Sequence, residues 1–216
     1  MRKIWIAAAV LALGLTTAFA ASTTAPKADA AQATIPQDLI HKRTDPYRYL
    51  PKVPKFDLRS TTVRNGRPLP LDQQSGIFGV PGGKDISPQL TWRGFPAKTK
   101  SFVVSMYDPQ APTGSGFWHW VVANVPATTT SLPLGAGTPG SGKLPAGSVQ
   151  LTGDAGAARY IGGAPPKGST HDYYITVTAL DVASVDVTPT TSGALTGFFI
   201  SSHTIGRATL VAPTRG

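Results

Sequence analysis

Short runs of β-branched and aromatic residues, bounded by Gly, Pro and Ser, set the pattern of hydrophobic and polar positions along this chain. Such runs are typical of β-strands. Residues 118–125 are apolar at both odd and even positions, which predicts a central strand covered on both faces, and residues 173–180 resemble another internal strand. The other predicted strands are residues 56–63, 89–92, 101–107 and 208–211.

The segments between these strands are rich in turn-forming residues. The chain has 23 Gly and 20 Pro in 216 residues, which argues against a helical bundle. Residues 127–168 are mostly Gly, Pro, Ser and Thr, and we predict a long ordered loop there because core strands lie on either side. Ser192 is a predicted N-cap for a short C-terminal helix that carries Leu195, Phe198 and Phe199 on one side. The predicted fold class is mainly β.

The N-terminal pattern predicts a signal peptide over residues 1–20. Arg2 and Lys3 precede an apolar run, and the segment Ala18-Phe19-Ala20 supplies a small-x-small cleavage site. The run is shorter than the ~20 residues that span a membrane. We therefore expect an exported chain, periplasmic or secreted, without a transmembrane segment. Residues 21–46 are a predicted flexible spacer, too poor in large apolar residues to build a core, and residues 47–216 are the predicted domain.

The charge of the chain is strongly basic. Its formal net charge of +9 becomes +7 when Arg2 and Lys3 leave with the signal peptide. Lys and Arg are concentrated in residues 27–67, which favours anionic partners such as phospholipid head groups or polyanionic polymers. A solvated basic surface explains the same excess. Aromatic residues do not interleave with the charges, so we do not expect a nucleic-acid partner. The chain has no cysteine for a disulfide.

Several common catalytic signatures are missing from the sequence. Residues 135–140 read Gly-Ala-Gly-Thr-Pro-Gly and match the dinucleotide pattern G-x-G-x-x-G, but Pro139 and the residues after it prevent the helix that this motif requires. The nucleophile elbow G-x-S-x-G, the zinc motif H-E-x-x-H and the phosphate loop do not occur.

Two segments carry the polar residues that suggest a site. Asp108 ends one predicted strand and His119 opens the next, so the short connection can bring a carboxylate beside an imidazole. His171 and Tyr173 stand two residues apart at the start of another strand and therefore share a face. Two imidazoles, a phenol and a carboxylate suit a phosphate or carboxylate ligand. Taken alone, the two histidines are more often structural.

The motifs in these segments resemble those of the phosphatidylethanolamine-binding protein family, in particular its bacterial Raf-kinase-inhibitor-like branch. The resemblance is carried by Asp-Pro-x-Ala-Pro at residues 108–112, Trp-His-Trp at 118–120 and Pro-Pro-x-Gly-x-x-His at 165–171. It also includes Ile-Ser-Pro-Gln-Leu-Thr-Trp at 86–92 and Gly-Phe-Pro at 94–96, and it extends to the C-terminal helix with His203. The matched region covers roughly residues 56–211.

The resemblance implies a β-sandwich with a peripheral C-terminal helix, a small anion pocket at one end, and neither a metal nor an organic cofactor. The family's pocket residues correspond to Asp108, His119, His171 and Tyr173. Further residues are implied to shape the pocket walls, namely Pro109, Pro112, Gly162 and Pro165.

Three positions depart from the family pattern. Gln110 stands where a second Asp is usual, Ala164 where a Pro is common, and Asp172 where an Arg usually follows the histidine. Asp172 is expected to add a negative charge beside the pocket rim, which is unfavourable for an anion.

These observations support three hypotheses of different classes. The first is a non-enzymatic binding protein for a small anionic ligand or a phospholipid head group, with no catalytic residues. The second is a protein-interaction module that inhibits a secreted or envelope hydrolase. The third is a metal-dependent enzyme, because one Asp and two His also match a facial metal triad.

Overall fold

The computed structural model describes residues 45–216 and shows two antiparallel sheets and one short helix. The predicted signal peptide and residues 21–44 of the predicted spacer lie outside the described residues. The elements in chain order are β1 (Asp57–Arg59), β2 (Leu90–Arg93), β3 (Ser101–Asp108), β4 (Phe117–Pro126), β5 (Ser131–Leu132), β6 (Val149–Gln150), β7 (Thr170–Leu180), α1 (Gly193–Ile200) and β8 (Thr204–Arg215). The mainly β prediction is confirmed.

The two sheets differ in size and enclose the main core between them. The small sheet has the order β1-β2-β5 and the large one β6-β4-β3-β7-β8. Trp92 and Leu132 of the small sheet belong to the same buried cluster as Phe102, Met106 and Trp120 of the large sheet. Burying these large apolar side chains between two sheets is the main stabilising contribution of a β-sandwich.

The opposite face of the large sheet is also covered. Val103, Val121 and Leu180 form a second buried cluster, against which Trp118 and Ile200 pack. The central strands β3, β4 and β7 are therefore buried on both faces, which confirms the prediction of internal strands at residues 118–125 and 173–180.

Strand lengths differ from the prediction at both ends of the domain. β1 spans only Asp57–Arg59, because the Ser60 hydroxyl accepts hydrogen bonds from the backbone N–H groups of Thr62 and Val63 and turns the chain. β8 is much longer than the predicted residues 208–211 and pairs with β7 along its whole length. The predicted loop over residues 127–168 is ordered and includes the short strands β5 and β6.

Helix α1 begins where the sequence predicts, but its large apolar residues do not all pack inward, since only Phe199 and Ile200 are partly buried. The Ser192 hydroxyl accepts a hydrogen bond from the N–H of Leu195 at 3.1 Å, which confirms the N-cap. Leu195 and Phe198 are exposed, whereas Gly193 and Thr196 are buried. Small residues at the contact let the helix backbone lie close to the sheet.

We expect Ser192→Ala to lower the free energy of unfolding by about 1 kcal/mol, because the N–H of Leu195 loses its acceptor. Chemical denaturation followed by circular dichroism measures the change. Ser192→Thr keeps the hydroxyl and is the matched control. Equal stabilities of the Ala and Thr variants would contradict a capping role.

Candidate ligand-binding site

An Asp–His pair lies at the end of the large sheet where β3 finishes and β7 begins. The Nδ1 atom of His171 is 2.7 Å from Oδ2 of Asp108, and both side chains are almost fully buried. The other carboxyl oxygen, Oδ1, accepts a hydrogen bond from the N–H of Gln110 at 2.8 Å. Asp108 therefore holds one histidine ring in a fixed orientation, and that ring is His171, not its hairpin neighbour His119.

His119 is fixed in the same way by a different acceptor. Its Nδ1 atom is 3.1 Å from the carbonyl oxygen of Ile161, and the residue is only 4% exposed. Burial lowers the pKa of His119 from its usual 6.5, while Asp108 and the carbonyl groups of Ile161 and Gly162 oppose that shift. The ring therefore favours its neutral form when no ligand is bound.

Tyr173 packs against His119 and links the two histidines to the loop before β7. The rings of His119 and Tyr173 meet edge to face at 5.2 Å between centroids. Burial raises the pKa of Tyr173 above its usual 10.0, and the charge of Asp108 adds to the effect. Its hydroxyl accepts a hydrogen bond from the N–H of Ala164 at 3.0 Å, so the phenolic hydrogen remains available for donation.

The wall beside these residues is formed by backbone that only glycine permits. A Cβ atom on Gly163 would lie 2.7 Å from the ring of Tyr173, and one on Gly162 would lie 2.3 Å from the backbone of Gln74. Among the predicted wall prolines, Pro109 and Pro165 are partly buried and Pro112 is exposed. The closest packing at the wall therefore comes from the two glycines.

Asp85 braces this wall and was not predicted from the sequence. Its Oδ1 accepts a hydrogen bond from the N–H of Gly162 at 2.8 Å, and its Oδ2 accepts one from the N–H of Ile77 at 3.0 Å. The side chain is buried, and its backbone has a φ of 54°, a conformation that Asp adopts more readily than most residues. The position of Asp85 directly before the motif at residues 86–92 was the available signal.

Phe117 is a second residue that sequence reasoning missed. Its ring lies 4.8 Å from that of His119 and 5.9 Å from that of Phe78, which is about half exposed. Together with Tyr173 these rings form a continuous aromatic series from the surface to the buried histidine. The position of Phe117 directly before the Trp-His-Trp motif was the available signal.

The three departures from the family pattern have defined positions. The N–H of Ala164, which a Pro would lack, supplies the hydrogen bond to Tyr173. The Gln110 side chain accepts a hydrogen bond from the N–H of Asp172 at 2.6 Å, which ties the loop after β3 to β7. Asp172 itself is buried, and strand alternation places its side chain on the opposite face of β7 from His171. The expectation that Asp172 adds a negative charge at the pocket rim is therefore wrong.

Two cavities occur elsewhere on the described part of the chain. Both adjoin Tyr47 and Arg207 on the other face of the large sheet, and neither is lined by His119 or His171. Within residues 45–216 no group of three or more His, Asp or Glu side chains is arranged to hold a metal ion. No helix in this range is long and apolar enough to cross a bilayer.

Known proteins are similar to this chain both in sequence and in fold. Residues 59–215 match the family described as phosphatidylethanolamine-binding protein. The UPF0098 protein YbhB of Escherichia coli is 48% identical over 155 residues, which cover 72% of this chain and 97% of that protein. The UPF0098 protein YbcL of the same species is 45% identical over 154 residues, or 71% and 84% of the two chains.

Solved structures agree with these relationships. The crystal structure of Escherichia coli YbcL matches with a TM-score of 0.72 and 42% identity, covering 74% of this chain and 98% of that one. The structure of CT736 from Chlamydia trachomatis, a phosphatidylethanolamine-binding protein homologue, matches with a TM-score of 0.62 and 25% identity, covering 75% and 98%. This chain belongs to the phosphatidylethanolamine-binding protein family.

Proposed function

We propose that this chain is an exported, non-enzymatic binding protein whose site at Asp108, His119, His171 and Tyr173 takes a small anionic group. The preferred ligand class is a phosphate monoester such as the phosphoethanolamine head group of a phospholipid. The exported location is supported by the basic and then apolar N-terminal pattern of residues 1–20.

The observation that carries this proposal is the shared arrangement of the two histidines. Each ring uses Nδ1 for a hydrogen bond to the protein, His119 to the Ile161 carbonyl and His171 to the Asp108 carboxyl group. Because a carbonyl or carboxylate oxygen can only accept, Nδ1 carries the hydrogen in both rings. These bonds leave Nε2 of each ring for a ligand.

The protonation state of the rings then determines which ligand is accepted. A neutral imidazole with hydrogen on Nδ1 has a lone pair on Nε2 and accepts a hydrogen bond, whereas an imidazolium donates from both nitrogens. A fully ionised phosphate or sulfate can only accept. Binding of such an anion therefore requires protonation of the ring that it contacts. The Tyr173 hydroxyl supplies a donor that does not depend on pH in this range.

We expect anion affinity to increase as pH falls, by about tenfold per pH unit for each proton taken up. Burial disfavours the charged form of His119, so in the free protein this ring is neutral near pH 7 and gains its proton when the anion binds. Calorimetric titration with O-phosphoethanolamine and with sulfate between pH 5.5 and 7.5 measures this effect. Sulfate does not titrate in that range, so its pH dependence reports the protein alone.

The variants His119→Gln and His171→Gln should each weaken sulfate binding at pH 5.5 by at least about tenfold, because a charged donor is replaced by a neutral amide. His203→Gln is the matched control, since His203 also pairs with an aspartate, Asp181, but is substantially exposed. Sulfate affinity that is independent of pH, or equal in all three variants, would rule out the proposal.

A further inference from the structure

A cavity of about 260 Å³ lies on the face of the large sheet opposite the two histidines. Tyr107 and Trp118 line it, and they are the chain neighbours of Asp108 and His119, whose side chains point to the other face by strand alternation. The cavity is therefore separate from the proposed anion site, although the same two strands contribute to both.

The walls of this cavity are largely apolar. Val103 and Val121 form its floor on the sheet, Ile200 of α1 lies at one side, and Leu50 of the segment before β1 lies at another. A water molecule occupies about 30 Å³, and a methylene group is of similar size, so the space accepts roughly nine such groups. An apolar chain or a small ring system fits these dimensions.

Two glycines of α1 determine how the helix borders the cavity. The backbone at Gly193 lies directly against the indole of Trp118, since a Cβ there would be 2.4 Å from the ring. At Gly197 a Cβ would meet no heavy atom within 4 Å. Gly197 therefore faces open space within the cavity lining, and a larger side chain can be placed there without a clash.

Arg207 gives the cavity one cationic end. Its guanidinium lies over the ring of Tyr47 at 4.8 Å, and its Nε is buried without a hydrogen-bond partner among residues 45–216. No carboxylate of the described residues lies within 4.0 Å of it. Asp45 acts on it only at longer range, and burial lowers the pKa of Arg207. The residue as a whole is partly exposed and lines the cavity, so its guanidinium is a cation without a carboxylate partner that can donate to a bound anion.

We propose that this cavity is a second binding site, for a medium-chain fatty acid anion. The carboxylate pairs with Arg207, and a chain of roughly eight to ten carbons lies on Val103, Val121 and Trp118. This second site is separate from the anion pocket, so the experiment that tests it does not depend on the proposed function.

Decanoate, kept below its critical micelle concentration, is the probe for this site. In calorimetric titration of the purified chain we expect saturable binding of one decanoate, weakened at least about tenfold in Arg207→Gln because a charged hydrogen bond is lost. Gly197→Leu should abolish binding by filling the cavity. Leu is also a better helix former than Gly, so this variant is expected to fold. Phe198→Ala, which removes an exposed ring of the same helix outside the cavity, should leave the affinity unchanged.

Thermal melting of each variant verifies that it is folded. If Gly197→Leu does not fold, Arg207→Gln still tests the proposal. His119→Gln, which alters the anion site and not this cavity, should leave the affinity for decanoate unchanged. A loss of decanoate affinity in His119→Gln would place decanoate at the histidines and overturn the proposal. Absence of decanoate binding, or equal affinity of the wild type, Arg207→Gln and Gly197→Leu, would overturn it as well.

Discussion

Asp85→Ala is expected to lower the free energy of unfolding by about 3 to 5 kcal/mol. The substitution removes the acceptor from the N–H groups of Gly162 and Ile77. The buried donor of Gly162, left without a partner, costs about 1 to 3 kcal/mol, and loss of the partly buried hydrogen bond to Ile77 costs about 1 kcal/mol. An alanine at a φ of 54° adds backbone strain of about 1 kcal/mol. Urea denaturation followed by tryptophan fluorescence measures the loss.

Two further variants at Asp85 separate the contributions. Asp85→Gly loses both acceptors but adopts the left-handed backbone freely, so it should be about 1 kcal/mol more stable than Asp85→Ala. Asp85→Asn keeps one oxygen acceptor and tolerates the same φ, and it should be the least destabilised of the three. If all three variants unfold like the wild type, Asp85 does not brace the wall.

Gly162→Ala is expected to cost about 3 kcal/mol through overpacking alone. Its Cβ would lie 2.3 to 2.6 Å from the backbone of Gln74 and Ser75, which cannot move as a flexible side chain can. The wall at residues 161–163 must shift to relieve this contact. Since the Ile161 carbonyl holds His119, sulfate affinity should also fall.

The matched control for this variant is Gly114→Ala. A Cβ on Gly114 meets nothing within 4 Å, and the residue is exposed in the loop after β3. Its stability should remain within about 0.5 kcal/mol of the wild type. Equal melting temperatures for the two alanine variants would contradict the predicted clash between a side chain at residue 162 and the backbone of Gln74.

The central position of β4 could be predicted because its sequence is apolar on both faces, a pattern that few other elements share. The N-cap Ser192 could be predicted as well, because a hydroxyl residue directly before a helical segment usually caps the helix. β8 was largely missed. Alternate residues of β8 are only partly buried, and Pro213 interrupts the apolar pattern, although an edge strand tolerates a proline.

The partner of Asp108 could not be predicted from local sequence. The hairpin of β3 and β4 suggests His119, but register shifts occur in that pairing, and Asp108 stands opposite Phe117. His171 reaches Asp108 through the pairing of β3 with β7, which joins residues 63 positions apart. Strand order over such separations depends on the whole sandwich. All four polar candidates lie in motifs at strand ends, which is why the sequence could suggest them.

The residues of the proposed site come from β3, β4 and β7, so a ligand bound there would resist unfolding of the whole sheet. These three strands are neighbours at the centre of the five-stranded sheet, so the site cannot form before they pair. A ligand that binds only the native state at a hundred times its Kd adds about 2.7 kcal/mol to the stability. Melting temperature can therefore serve as a screen for the natural ligand among unlabelled extracts, without any assay of activity.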